Sequence, residues 1–307
     1  MLVMGVDENG LGPRLGPLVA TSVALQVPSY RRAELSRRGL ALGLTDSKET
    51  GGFGRMAFTE SVALALVGGP PATAPTSADG LLRRLWPGGS ASLRARCPNA
   101  HTAAQCWDVD VRLPAFGGDF QEGRRILDDL VGRSALTIVD VRSRLACAGM
   151  LNAEHCTGTN KLEVDLSLFE ELIDATHTAH GEPLLAVCGM IGGIRDYASR
   201  FSRYGGGRPT PLRARRGQRR YAIRDLGEIR FEVDADARHL PVSLASIVGK
   251  YLREVSMLRI GAFYRDAIPG LRLASGYHDP VTRRFIEETE AFRRKRAISL
   301  NCFRRQA

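Results

Sequence analysis

The chain has 307 residues and a formal charge of +10, with 43 Lys and Arg against 33 Asp and Glu. Hydrophobic residues make up 44% and charged residues 25%, a globular balance that excludes wholesale disorder, collagen and a small disulfide-stapled scaffold. No apolar run approaches the about 20 residues of a membrane span, and the N-terminus carries Asp7 and Glu8, unlike a signal peptide, so a cytoplasmic protein is expected.

Residues 1–27 predict two strands joined by a glycine-rich turn. Leu2, Val3, Met4 and Val6 lead into Asp7-Glu8. The turn Asn9-Gly10-Leu11-Gly12-Pro13-Arg14-Leu15-Gly16-Pro17 follows, then a β-branched run to Val27. A basic segment, the turn Thr45-Asp46-Ser47-Lys48 and a helix near 54–66 come next. Residues 67–120 are rich in Gly, Pro, Ala and Ser and read as a long insertion with little regular structure. A strand at 136–141 and a helix over 161–177 follow, with Leu162, Leu166, Phe169, Leu172 and Ile173 on one helical face. Strands at 183–188 and 229–233 precede a long helix. That helix starts near Val242 with Ser243 as N-cap and runs to about Phe263, its apolar face at helical spacing. Early strands with helices alternating later predict a mixed-sheet α/β domain.

The positive charge is nearly all arginine, since the lysines are only Lys48, Lys161, Lys250 and Lys295. The planar, permanently charged guanidinium suits phosphate recognition, although GC-rich coding also favours Arg over Lys. Residues 195–230 hold eleven arginines against Asp196, Asp225 and Glu228, with Tyr204 and Tyr221 interleaved. The segment reads either as a phosphate-tracking loop or as a solvated loop between strands. The cysteines, among them Cys97, Cys106, Cys147 and Cys156, lack the short spacing of common zinc sites and read as structural thiols, with a zinc-bound insertion as the lesser alternative.

Asp7-Glu8 is the first chemically unusual feature. Side chains alternate along a strand, so adjacent acids share one site only where a strand ends or twists. Taken alone, the pattern also fits an acidic turn with glycines for geometry.

The stretch from Val6 to Val19 resembles the opening motif of type 2 ribonucleases H, written D-E-A-G-R-G-P-x-x-G-P-V. Asp46-Ser47-Lys48 resembles that family's D-S-K turn. Ala245-Ser246-Ile247-Val248-Gly249-Lys250-Tyr251-Leu252-Arg253-Glu254 is similar to its A-S-I-x-A-K-x-x-R-D helix, and Ser275-Gly276-Tyr277-His278 to its G-Y segment. The four blocks occur in order and cover the start and the last third of the chain; about 67–160 aligns with nothing. The resemblance implies a ribonuclease H-like fold, a five-stranded mixed sheet flanked by helices. It also implies a catalytic domain over 1–265 that carries the 67–120 insertion, and a helical extension over 266–307. The implied reaction is hydrolysis of the phosphodiester 5′ to a ribonucleotide in an RNA–DNA hybrid or in DNA. Clustered carboxylates would hold two divalent ions ~3.5–4 Å apart, and hard oxygen ligands select Mg²⁺ or Mn²⁺. Nucleic acid is thus the implied partner.

By the same resemblance, Asp7, Glu8 and Glu254 are the catalytic and metal-holding acids, Glu254 standing where the family has Asp. The strand before Gly189 should end in a fourth acid, but Cys188 stands there, and a thiol is a poor ligand for Mg²⁺. Asp236 lies near the family's D-A-K segment. Gly10, Leu11 and Gly12 would approach the 2′-hydroxyl, Lys48, Ser246 and Lys250 the phosphates, and Tyr277 would stack at the junction. The alternative is a nucleic-acid-binding protein that keeps the fold and has lost catalysis. The deciding feature is whether another carboxylate stands beside Cys188.

Overall fold

The computed structural model describes residues 1–45, 56–69, 73–102, 105, 107–204 and 209–306. Its strands are β1 (Leu2–Asn9), β2 (Leu18–Gln26), β3 (Thr137–Ala146), β4 (Leu184–Gly189), β5 (Thr210–Arg215), β6 (Gln218–Ile223) and β7 (Gly227–Glu232). They form one mixed sheet in the order β3-β2-β1-β4-β7-β6-β5. β1 pairs antiparallel with β2 and parallel with β4, and β4 pairs parallel with β7. β1 and β4 are covered on both faces, so they read as continuous apolar runs.

The expected mixed α/β sheet flanked by helices is present, but it has seven strands where five were expected. The additional pair is the hairpin of β5 and β6, in the arginine-rich segment read above as a loop. The density of arginine on both strands obscures their pattern; Gly217, at φ +75°, makes the turn.

Described helices in chain order are α1 (Arg32–Ala41), α2 (Met56–Gly68), α3 (Ala78–Leu85), α4 (Gly89–Ala95), α5 (Phe120–Ser134), α6 (Ala148–Cys156), α7 (Lys161–His180), α8 (Ala235–Arg238), α9 (Leu240–Arg265), α10 (Pro280–Glu288), α11 (Glu290–Lys295) and α12 (Leu300–Phe303). The described residues of 67–120 form helices where little regular structure was expected. Ser77 caps α3 through the Gly80 amide at 3.2 Å, and Leu81, Leu82, Leu85, Trp86, Leu93, Trp107 and Leu113 enter the core. Gly68, Gly80 and Gly89 lie within helices, and the apolar residues around them are at helical spacing.

The long helix starts at Leu240, with Pro241 in its first turn. Ser243 is therefore inside the helix rather than at its cap, and its hydroxyl donates to Leu44 O at 3.0 Å. α9 lies along β1 and β2 on one face of the sheet. The approach is close: a Cβ at Gly5 would stand 2.1 Å from the Pro241 carbonyl carbon. α7 covers the other face through Leu166, Phe169, Leu172 and Ile173. A third apolar cluster joins the end of α9 to the C-terminal helices through Tyr264, Phe285 and Phe303. No helix of the described residues is long and apolar enough to cross a membrane.

Candidate acidic site at the end of the sheet

β1 ends with Asp7 and Glu8 beside the end of β4, where Cys188 pairs with Val6 in parallel register. Gly189 follows, and a Cβ there would meet Asp7 Oδ1 at 2.8 Å and Glu8 Oε2 at 3.4 Å. Glycine is thus what lets both carboxylates crowd the end of β4. From α9, the Ser246 hydroxyl donates to Asp7. Burial and then the neighbouring Glu8 hold the Asp7 carboxyl well above the usual carboxylate range.

A further buried acid interacts with Asp7. Asp165 projects from α7, is fully buried, and neither carboxylate oxygen has a hydrogen-bond partner. Burial raises its pKa strongly, and the Asp7 charge raises it further. Glu60, equally buried, differs sharply: it accepts from the amides of Ala115, Phe116 and Gly118 and from the Tyr251 hydroxyl. Glu60 is a satisfied structural acid, whereas Asp165 is an unsatisfied one. The sequence reading missed Asp165, although the signal was present. It falls among Leu162, Leu166 and Phe169 on the apolar face of α7, where an acid is out of place.

Cys188 is fully buried. Burial, then Asp7, Asp165 and Glu8, push its thiol well up, so it stays protonated and neutral amid the acids. The Glu254 carboxylate accepts from Arg253 Nη1 at 2.6 Å. Asp236, on α8, adds to the charges that raise Asp7.

The glycine turn is held from behind by the end of the chain. Arg305, buried, donates through Nη1 to Gly10 O and through Nε and Nη2 to Gly16 O at 2.9 and 2.7 Å. Its amide donates to Arg14 O at 3.0 Å. Gly10 takes φ +87°, where a Cβ would press on Arg253 at 2.8 Å, while a Cβ on Gly12 would meet nothing within 4 Å. Leu11 packs against the α7-side core. Arg305→Met is expected to cost about 3 kcal/mol, because bonds from a charged donor contribute about 1.5–3 kcal/mol each and the carbonyls are left buried. Denaturant midpoints measure this; a loss below about 1 kcal/mol would show that the turn stands without the strap.

Of the other expected contacts, Ser246 is buried and serves Asp7, and Lys250 is half-buried one turn along α9. Tyr277 is 46% exposed, with the Arg253 guanidinium 4.6 Å from its ring centre. Arg253 also donates to Ser275 O at 2.7 Å and so ties α9 to the Ser275-Gly276-Tyr277 segment. Lys48, with Asp46 and Ser47, lies outside the described residues, as does Cys106. Cys97, Cys147, Cys156, Cys188 and Cys302 are free thiols, and Cys156 is exposed rather than structural.

The donors suit a hard divalent cation in kind: carboxylates crowded together, two oxygens of one of them without partners. In arrangement the set is incomplete, because among the described residues no three His, Cys, Asp or Glu side chains converge as a metal-holding group.

No family model matches the chain, and no curated protein matches it. Among solved structures, the chain is similar to ribonuclease HII of Archaeoglobus fulgidus in a complex with PCNA, at 18% identity over 100% of this chain and 95% of that one, with a TM-score of 0.47. It is similar to ribonuclease H2 of Pyrococcus horikoshii OT3, at 17% identity over 99% and 92%, with a TM-score of 0.48. It is also similar to Bst-RNase HIII in complex with Mn²⁺, at 13% identity over 100% and 66%, with a TM-score of 0.47.

Proposed function

We propose that this protein is a ribonuclease HII-like endonuclease that hydrolyses the phosphodiester 5′ to a ribonucleotide in an RNA–DNA hybrid or in DNA. The observation that carries the reading is Asp165. It is a buried carboxyl with two unpartnered oxygens, raised by the Asp7 charge and itself among the charges that raise Cys188, the residue standing where the resemblance calls for an acid. The motif blocks support it: the Asp7-Glu8 strand end, the glycine turn and the Ser246 helix meet at one place.

Asp7 and Glu8 are the acids assigned here to Mg²⁺ or Mn²⁺, with Asp165 acting on Asp7 through its charge; in the arrangement seen, the three do not converge as a metal-holding group. When bound, such a cation supplies water activation and neutralises charge at the phosphate. The chain does the rest. Ser246 orients the Asp7 carboxylate. Gly10 and Gly12 keep Cβ atoms out of the path of the sugar, and Arg305 fixes the turn. Tyr277 offers an aromatic face backed by Arg253, suited to stacking beside the scissile bond.

The test is cleavage of two labelled duplexes, an RNA–DNA hybrid and a DNA with one embedded ribonucleotide, in Mg²⁺ and Mn²⁺ separately. Cleavage 5′ to the ribonucleotide is expected, with Glu8→Gln lowering it by roughly a hundredfold or more. Binding to both duplexes without cleavage in either metal would sink the nuclease reading and leave a non-catalytic nucleic-acid-binding protein.

A further inference from the structure

The hairpin of β5 and β6 concentrates cations that the acidic site does not use. From Thr210 to Arg220 it carries Arg213, Arg215, Arg216, Arg219 and Arg220, and no acid. The facing acids are already engaged. Glu228 accepts from Arg220 and Arg230, and Glu232 accepts from Gln218 and is paired with His239. No ion pair joins Arg213, Arg215 or Arg216 to a carboxylate among the described residues, and every residue of β5 is exposed. One or two charges are enough to blunt an edge strand against unwanted pairing. This density of exposed guanidinium groups without carboxylate partners instead matches phosphate.

Register fixes where these arginines stand. Val6, Cys188, Phe231, Arg219 and Ala214 lie in one row across β1, β4, β7, β6 and β5. The next row runs Gly189, Glu232, Gln218, Arg215. Arg215 and the turn residue Arg216 are therefore at the same end of the sheet as Asp7 and Glu8. Four strand spacings of ~4.8 Å separate β1 from β5, roughly 19 Å. At ~3.4 Å per base pair that is roughly five or six base pairs of duplex.

Resting on the function proposed above, we infer that the hairpin is a second docking point for the same nucleic acid. Arg213, Arg215 and Arg216 grip the phosphate backbone roughly five or six base pairs from the ribonucleotide that sits at the acidic site. It follows that the protein discriminates by duplex length as well as by the ribonucleotide.

The experiment compares two stem-loop duplexes carrying one ribonucleotide, flanked on each side by about four or about fifteen base pairs. Affinity is read by fluorescence anisotropy in chelator over a salt series. The wild type is expected to prefer the long duplex. The variant R213Q/R215Q/R216Q is expected to bind the long duplex about tenfold more weakly, with the log–log salt slope reduced by about 2–3, and to bind the short duplex as before. The same positive charge removed at exposed sites elsewhere, as R37Q/R125Q/R272Q, is expected to leave the length preference intact. All three hairpin positions are exposed, so the variant is expected to melt with the wild type. Unchanged affinity and salt slope on the long duplex would overturn the inference while leaving the reading of the acidic site standing. A wild type that binds neither duplex would remove that reading and the inference with it. Poly-glutamate competing as well as ribonucleotide-free duplex of equal charge would overturn the choice of nucleic acid as the partner.

Discussion

Between about pH 5 and pH 8, in chelator, the wild type is expected to lose about 1–3 kcal/mol more stability than its Asp165→Asn variant. The sign follows from the direction of the shift. Burial and Asp7 raise the Asp165 carboxyl well above its unfolded value of about 3.9. A group with a raised folded pKa binds its proton more tightly in the native state. As pH climbs past the unfolded value, the unfolded chain releases that proton first, and stability falls until the folded pKa is passed. Asparagine cannot contribute to that fall. Its amide is also left without partners, at a cost of about 1–3 kcal/mol that does not vary with pH, so the slope rather than the absolute stability carries the test. Cleavage by the variant is expected to drop by roughly a hundredfold, because the carboxylate offered to the cation is gone. Chemical denaturation at several pH values, with the two-duplex assay, measures both. Parallel pH curves would show that the carboxyl is not penalised by the fold. A reduced slope with full cleavage would confine Asp165 to the core and leave the reaction to Asp7 and Glu8.

Stability set against use explains what the sequence did and did not disclose. Asp7 and Glu8 were legible because a strand end followed by closely spaced glycines is a local pattern. The α9 block was legible because its apolar period is long. Asp165 was not read, since its importance comes from β1 and β4 packing against α7, a contact far off in sequence. The apolar face of α7 signals a helix with or without Asp165. In 67–120 the abundance of Gly and Pro conceals Leu81, Leu82, Leu85 and Trp86, which enter the core. In β5 and β6 the density of arginine obscures the strand alternation. Glu254 is legible only by its place in a motif; its carboxylate accepts from Arg253.

Cys188→Asp would place an acid at the end of β4 beside Asp7 and Glu8, and its expected effect depends on metal. In chelator, one more buried carboxyl beside Asp7, Glu8 and Asp165 is expected to cost about 3–5 kcal/mol. The wild-type thiol avoids that cost by remaining neutral, its pKa raised by burial and by the same three acids. A cation that binds the folded state alone stabilises it by RT ln(1 + [L]/Kd), about 2.7 kcal/mol at a hundredfold excess over Kd. Mn²⁺ should therefore restore much of the variant's stability and stabilise the wild type less, with cleavage rising in the variant. The measurement is the shift in denaturant midpoint on adding Mn²⁺, compared between the two proteins. Equal shifts would mean that position 188 does not face the cation. No shift in either, with the chelator penalty present, would mean that these acids repel one another without serving a metal, and the non-catalytic reading would follow. If the proposed function holds, Asp165 supplies from the helix face a carboxyl that position 188 does not supply from the strand.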